Sequence, residues 1–228
     1  MLLTNAHRST GAILANNAKG TRRARFTVAH ELGHFLMERH QLSGESGFTC
    51  SAQDMHEARK GKQHVKQKTQ ANQFAIELLA PAYLMTPFCS DDPDLRDAQR
   101  LRDFLDLSLK ACVRRMLSLR DETLAVVWPF ESRVRYSVRS KNFPFVALKK
   151  GDRVPQTSAA FRAITKAQPG FTQLAEADPH PWTGRSDLEL CEQTRVASRG
   201  HAVTLLWAEL PADDEDGGLK ELGISGFR

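Results

Sequence analysis

The segment His30-Glu31-Leu32-Gly33-His34 constrains this chain more than any other. On a helix, residues i and i+4 share one face, so both imidazoles can meet one metal ion. Neutral imidazole nitrogen is a good zinc ligand. Glu31 stands beside the pair, where a carboxylate can take a proton from metal-bound water. Zinc lowers the pKa of that water to about 7, which supplies a nucleophile at neutral pH. The reaction class implied is metal-assisted hydrolysis, most often of a peptide bond. Three fixed residues recur by chance in roughly 1 of 100 chains of this length, so the bare motif suggests without deciding. Its setting adds weight. Thr27 can cap a helix running to about Arg39, with Ala29, Leu32, Phe35 and Leu36 on its apolar side. Gly33 leaves room for a second backbone.

Composition excludes several classes. With 41% hydrophobic and 26% charged residues, the 228-residue chain reads as a soluble globular protein, not a disordered or fibrous one. No window approaches the ~18 apolar residues of a membrane span. The N-terminus lacks the ordered apolar core of a signal peptide. Cys50, Cys89, Cys112 and Cys191 are far apart and form no CxxC pair, so a cytoplasmic location is expected. A net charge of +5 permits nucleic-acid contact without showing it.

Ala12–Ala15 reads as a strand ending at Asn16-Asn17, followed by a basic stretch. Gln41 to Gln53 reads as a loop. Ala71, Phe74, Ala75, Leu78 and Leu79 predict a buried helical face that Pro81 stops. Ser90-Asp91-Asp92-Pro93 marks a boundary. Helices are expected over about 94–105 and 108–119, the second capped by Ser108. Residues 124–130 and 133–140 predict a hairpin. A short helix is expected over 158–166 and a strand over 201–210, before an acidic, loose tail.

Two blocks carry a resemblance. Arg25-Phe26-Thr27-Val28-Ala29-His30-Glu31-Leu32-Gly33-His34-Phe35 and Ala71-Asn72-Gln73-Phe74-Ala75-Ile76-Glu77-Leu78-Leu79-Ala80-Pro81, in this order, resemble the ImmA/IrrE metallopeptidases. The likeness is strong over about 13–87 and continues in pattern beyond. It implies a cytoplasmic, Zn2+-dependent endopeptidase whose protein substrate is a helix-turn-helix transcriptional repressor. It also implies an α+β chain. Residues 1–90 would form a zincin-like peptidase domain, and 91–122 a helical helix-turn-helix-like segment. Residues 123–210 would form a β-rich GAF-like domain, followed by a tail at 211–228. His30 and His34 match the two metal-ligand histidines and Glu31 the catalytic glutamate.

Two departures stand out. The family's third ligand is a Glu four residues before the Asn of the second block. Asn72 is that Asn, and Lys68 stands four residues before it. A protonated lysine cannot ligate zinc. Three readings stay open. His64, one turn earlier on the same stripe, supplies the third ligand; or Asp54, His56 or Glu57 reaches the metal; or no third protein ligand exists. In the last case the chain is a catalytically impaired homologue that acts as a regulatory protein- or DNA-binding module. The second departure is at the start, where only 29 residues precede His30, fewer than the family has. Either the true start lies upstream or the copy is truncated, and missing strands would expose apolar surface.

Other residues have plainer readings. Glu77 points away from Lys68 and is a solvated or salt-bridged helix residue. His40 is a polar helix end, and Cys50 a small buried hydrophobe. Lys110, Arg114 and Arg115 would face phosphates if 108–119 were a recognition helix. A structural bundle docked on the peptidase, with those charges solvated, is the favoured alternative.

Overall fold

The computed structural model describes residues 1–5, 7–18, 20–41, 47–48 and 62–210, and only the backbone of 47–48 and 62–64. The chain opens with β1 (Leu2–Thr4) and β2 (Gly11–Ile13), followed by helix α1 (Thr21–Leu36) and β3 (Gly47–Phe48). The strands make a small antiparallel sheet in the order β2-β1-β3. Next come α2 (Lys62–Leu79), the short α3 (Ala82–Met85), α4 (Leu95–Leu105) and α5 (Leu109–Leu119).

Helix α1 starts six residues before the expected cap. Gly20, at φ 95°, precedes it, and Thr27 sits inside, donating its hydroxyl to the Arg23 carbonyl. The basic stretch therefore becomes the first turns of α1. Arg22 Nε donates to Asp106 Oδ1 (2.8 Å) and Arg25 Nη1 to the Leu105 carbonyl (2.8 Å). Both arginines thus sit at the C-terminus of α4, where cations are favoured. At its other end α1 stops at Leu36, three residues short of the expected end, and the chain turns back.

Helices α1 and α2 lie against each other where Gly33 faces Ala71 and Phe74. A Cβ at Gly33 would stand 3.0 Å from Phe74 Cδ1 and 3.3 Å from Ala71 Cα. Ala71 and Ala75 are fully buried as expected, but Leu78 is half exposed. Leu14, Val28 and Leu36 are exposed as well.

The two middle helices form where the caps predict them. Asp94 accepts from the Arg96 N–H and Ser108 from the Ala111 N–H. The expected hairpin is β4 (Leu124–Phe130) with β5 (Arg133–Arg139). Helix α6 (Ala159–Lys166), strands β6 (Gly170–Phe171) and β7 (Ala175–Glu176) and helix α7 (His180–Thr183) follow, then β8 (Glu189–Val196) and β9 (Ala202–Glu209). The antiparallel sheet runs β5-β4-β9-β8-β6, with β7 also on β8. Both its faces are covered, and alternate residues of β4 divide between them. Leu124, Val126 and Trp128 enter a core with α3, α4 and α5. Ala125 and Val127 enter a second core with α6 and Trp182 of α7. The tail, 211–228, lies outside the described residues.

Candidate metal centre

Helix α1 brings His30 and His34 to one face, as their spacing requires. Their Nε2 atoms are 3.2 Å apart. Two nitrogens bound tetrahedrally to one zinc, each at 2.0–2.1 Å, stand about 3.3 Å apart. The hydrogen-bond partners set the protons. His30 Nδ1 lies 3.0 Å from Asn72 Oδ1, an acceptor, so Nδ1 carries the proton. His40 Nε2 lies 3.1 Å from Gln70 Oε1 and donates to it. Neutral His40 then presents a lone pair at Nδ1, 2.8 Å from His34 Nδ1, which donates. In this arrangement of protons the facing Nε2 atoms are both acceptors. Two lone pairs meeting at that distance repel unless a cation lies between them, so the pair fits a metal ion.

Burial favours the neutral form of His30 and His40. It holds His30 below the ordinary histidine value of 6.5, with Lys68 pushing the same way and Glu31 and Asn72 opposing. His40, buried beneath the helix end, is lowered chiefly by burial too. Glu31 is also buried. Its Oε1 lies 2.9 Å from the Met1 amino group. Its Oε2 is buried with no hydrogen-bond partner among the described residues. A carboxylate oxygen so placed is costly until a donor reaches it, and water delivered at the histidine pair would be such a donor.

Sequence reasoning missed two contributors. His40 was read as a helix cap, yet it links His34 to Gln70 as an outer-shell partner of the kind that fixes a ligand's tautomer. Arg8, from the β1–β2 turn, donates to the carbonyls of His34 (3.1 Å), Met37 (2.5 Å) and His40. It closes the C-terminal end of α1, whose last carbonyls have no partner within the helix. Neither residue lies at a motif spacing. Their one signal is a polar side chain beside an apolar helix end.

The third-ligand readings fare differently. Asp54, His56, Glu57 and Cys50 lie outside the described residues. His64 lies on α2, but its side chain is outside the description as well. Lys68 is half-buried, and its charge acts on His30. Among the described residues, no group of three or more His, Cys, Asp or Glu side chains gathers round a metal position.

The DNA-facing role considered for Arg115 does not fit. Arg115 is buried, its Nε donates to the Ala80 carbonyl (2.9 Å) and its guanidinium grips Glu77 (Nη1–Oε1 2.6 Å). Glu77 is thus the salt-bridged helix residue expected.

The family model Peptidase_M78, described as an IrrE N-terminal-like domain, matches residues 2–117, half of the chain. The chain belongs to this family. The match covers His30, Glu31 and His34, and membership suggests a metallopeptidase. It spans β1 to α5 and so takes in the middle helices along with the metal helix. No curated protein matches this Peptidase_M78 member. Among its described residues, no helix is long and apolar enough to cross a membrane.

Proposed function

We propose that the chain is a zinc-dependent endopeptidase whose substrate is a helix-turn-helix repressor. The observation that carries the peptidase reading is the pair of facing Nε2 atoms 3.2 Å apart beside a buried glutamate. His30 and His34 would hold the ion, with His64 one candidate for the third ligand. Bound zinc supplies Lewis acidity and lowers the pKa of water. Asn72 holds His30, and the His40–Gln70 pair holds His34, each in the tautomer that turns an Nε2 acceptor toward the other. Glu31 takes the proton from the attacking water on its carboxylate and passes it to the leaving amine. The likeness to repressor-cleaving relatives supports the substrate, and the GAF-like reading of 123–210 suggests a docking or sensing role for that part.

The deciding variant is Glu31→Gln. Cleavage of a peptide library, read by mass spectrometry, should fall at least about 100-fold while zinc stays bound. A variant that cuts as fast as the parent removes Glu31 from the mechanism.

One observation favours a second reading, a metal-poor homologue that binds a repressor or DNA without cutting. The Lys68 cation acts on His30 from the position where the family has its third ligand. In that case Lys68→Glu raises zinc affinity strongly. If it changes nothing, the third ligand lies elsewhere and the peptidase reading stands.

A further inference from the structure

We infer that the groove between α2 and α5 is a substrate subsite that takes an extended peptide segment with acidic side chains at alternate positions. The inference deepens the peptidase reading and rests on it for the word substrate. The groove encloses about 490 Å³ and begins at Asn72, the residue that holds His30. Thr69 and Gln73 extend its α2 wall, and Lys110 and Arg114 line its α5 wall. Asn72 thus joins the groove to the Nδ1 side of His30.

No carboxylate among the described residues pairs with Lys110, Arg114 or the neighbouring Arg135. Lys110 Nζ instead lies 4.5 Å above the Tyr136 ring. Burial, then Arg114 and Arg135, hold Lys110 below the usual lysine range, so the cluster is self-repelling and an anion would relieve it. By contrast, the buried Arg115 beside them is fully engaged with Glu77 and Ala80. Lys110 and Arg114 are one helical turn apart, about 5.4–6 Å. Alternate side chains of an extended peptide are about 6.6–7 Å apart, so two acidic residues flanking one other residue match the pair.

A nucleic acid fits less well. Lys110 and Arg114 are exposed, but Lys110 is laid over Tyr136 and Arg115 is buried on Glu77, so α5 does not present its three cations together to a phosphate backbone. Trp128 stacks on Tyr136 at 4.8 Å, and Lys110 covers Tyr136, so neither ring is open to a base.

The test uses the full chain and fluorescence anisotropy with three probes: a decapeptide of alternating Glu and Ala, its Gln counterpart, and a short duplex DNA. The Glu peptide should bind at least about ten-fold tighter than the Gln peptide, and the exposed double variant Lys110→Glu with Arg114→Glu should lose about ten-fold. Lys166→Glu on α6, across the sheet, is the charge control and should lose less than about two-fold. Equal loss in control and double variant would overturn the subsite, as would duplex DNA held more tightly than the Glu peptide through the same residues. The readout needs neither zinc nor turnover. A chain that binds the Glu peptide but cuts nothing keeps the acidic-peptide site and loses the peptidase reading. A chain that cuts but shows no preference for the Glu peptide loses the subsite alone.

Discussion

At the scale of single residues, the site depends on where two protons sit. His34 is oriented by a neutral His40, which is oriented in turn by Gln70. Such outer-shell links are typically worth about 10–100-fold in metal affinity. His40→Ala should weaken zinc binding by about that factor, measured by competition with a chelator, while the fold is kept. Gln70→Leu should weaken it in the same direction and less, because His40 remains. If His40→Ala binds zinc as the parent does, the link does not set the His34 tautomer. The ligand pair and Glu31 were legible because i,i+4 spacing on a helix is a geometric rule. His40 was not, because α1 ends at Leu36 and the chain folds back beneath it. A return of that kind has no periodicity to read.

At the scale of elements, Gly33 is the point where α1 rests on α2. An added methyl there would press on the Ala71 backbone at 3.3 Å, which cannot rotate away. Gly33→Ala should therefore cost about 1–3 kcal/mol in urea unfolding. It should also weaken zinc binding, since Asn72 and Gln70 reach the histidines from α2. Zinc affinity unchanged in a destabilised variant would mean the two helices hold the site independently. The close approach was readable from a glycine inside a helical pattern. The start of α1 was not, because Thr27 is a good cap residue that here bonds back to Arg23. Strand β8 was missed for a different reason. Glu192, Gln193 and Thr194 are consecutive, polar and all buried, so no alternation survives. Their partners lie elsewhere in the fold: Gln193 accepts from the Leu95 N–H (2.7 Å) and Glu192 from the Trp182 indole (3.1 Å).

At the scale of the whole molecule, the middle helices and the large sheet share one core. A fragment of residues 121–210 would expose Leu124, Val126, Val203 and Leu205, which α3–α5 otherwise cover. It should lack a cooperative thermal transition, while a fragment of residues 80–210, which keeps α3–α5, should show one. A sharp transition in the shorter fragment would mean the sheet is stable without the helices.

Glu192 adds a pH dependence to that half. Burial pushes its carboxyl above the ordinary 4.5, outweighing the donors from Ala159, Ala160 and Trp182. Below the ordinary value it is protonated folded and unfolded. As pH rises from there, the unfolded chain ionises first, so stability falls until the folded group ionises too. Urea midpoints from about pH 4 to 7 should show this fall in the parent, and Glu192→Gln should flatten it. An unchanged slope in the variant would mean Glu192 keeps its ordinary titration.

The layered plan of helices and hairpin was legible from caps and alternation. The covering of both sheet faces was less legible: β4 is an unbroken apolar run, as a strand buried on both faces should be, but β5 alternates like a strand with one wet face.

The most direct test of the metal centre is the zinc content of the purified full chain, by elemental analysis after mild dialysis, beside a His34→Ala variant. About one zinc per chain in the parent and almost none in the variant is the expected result. A folded parent that retains no zinc would contradict the centre and leave a binding protein with a peptidase's frame.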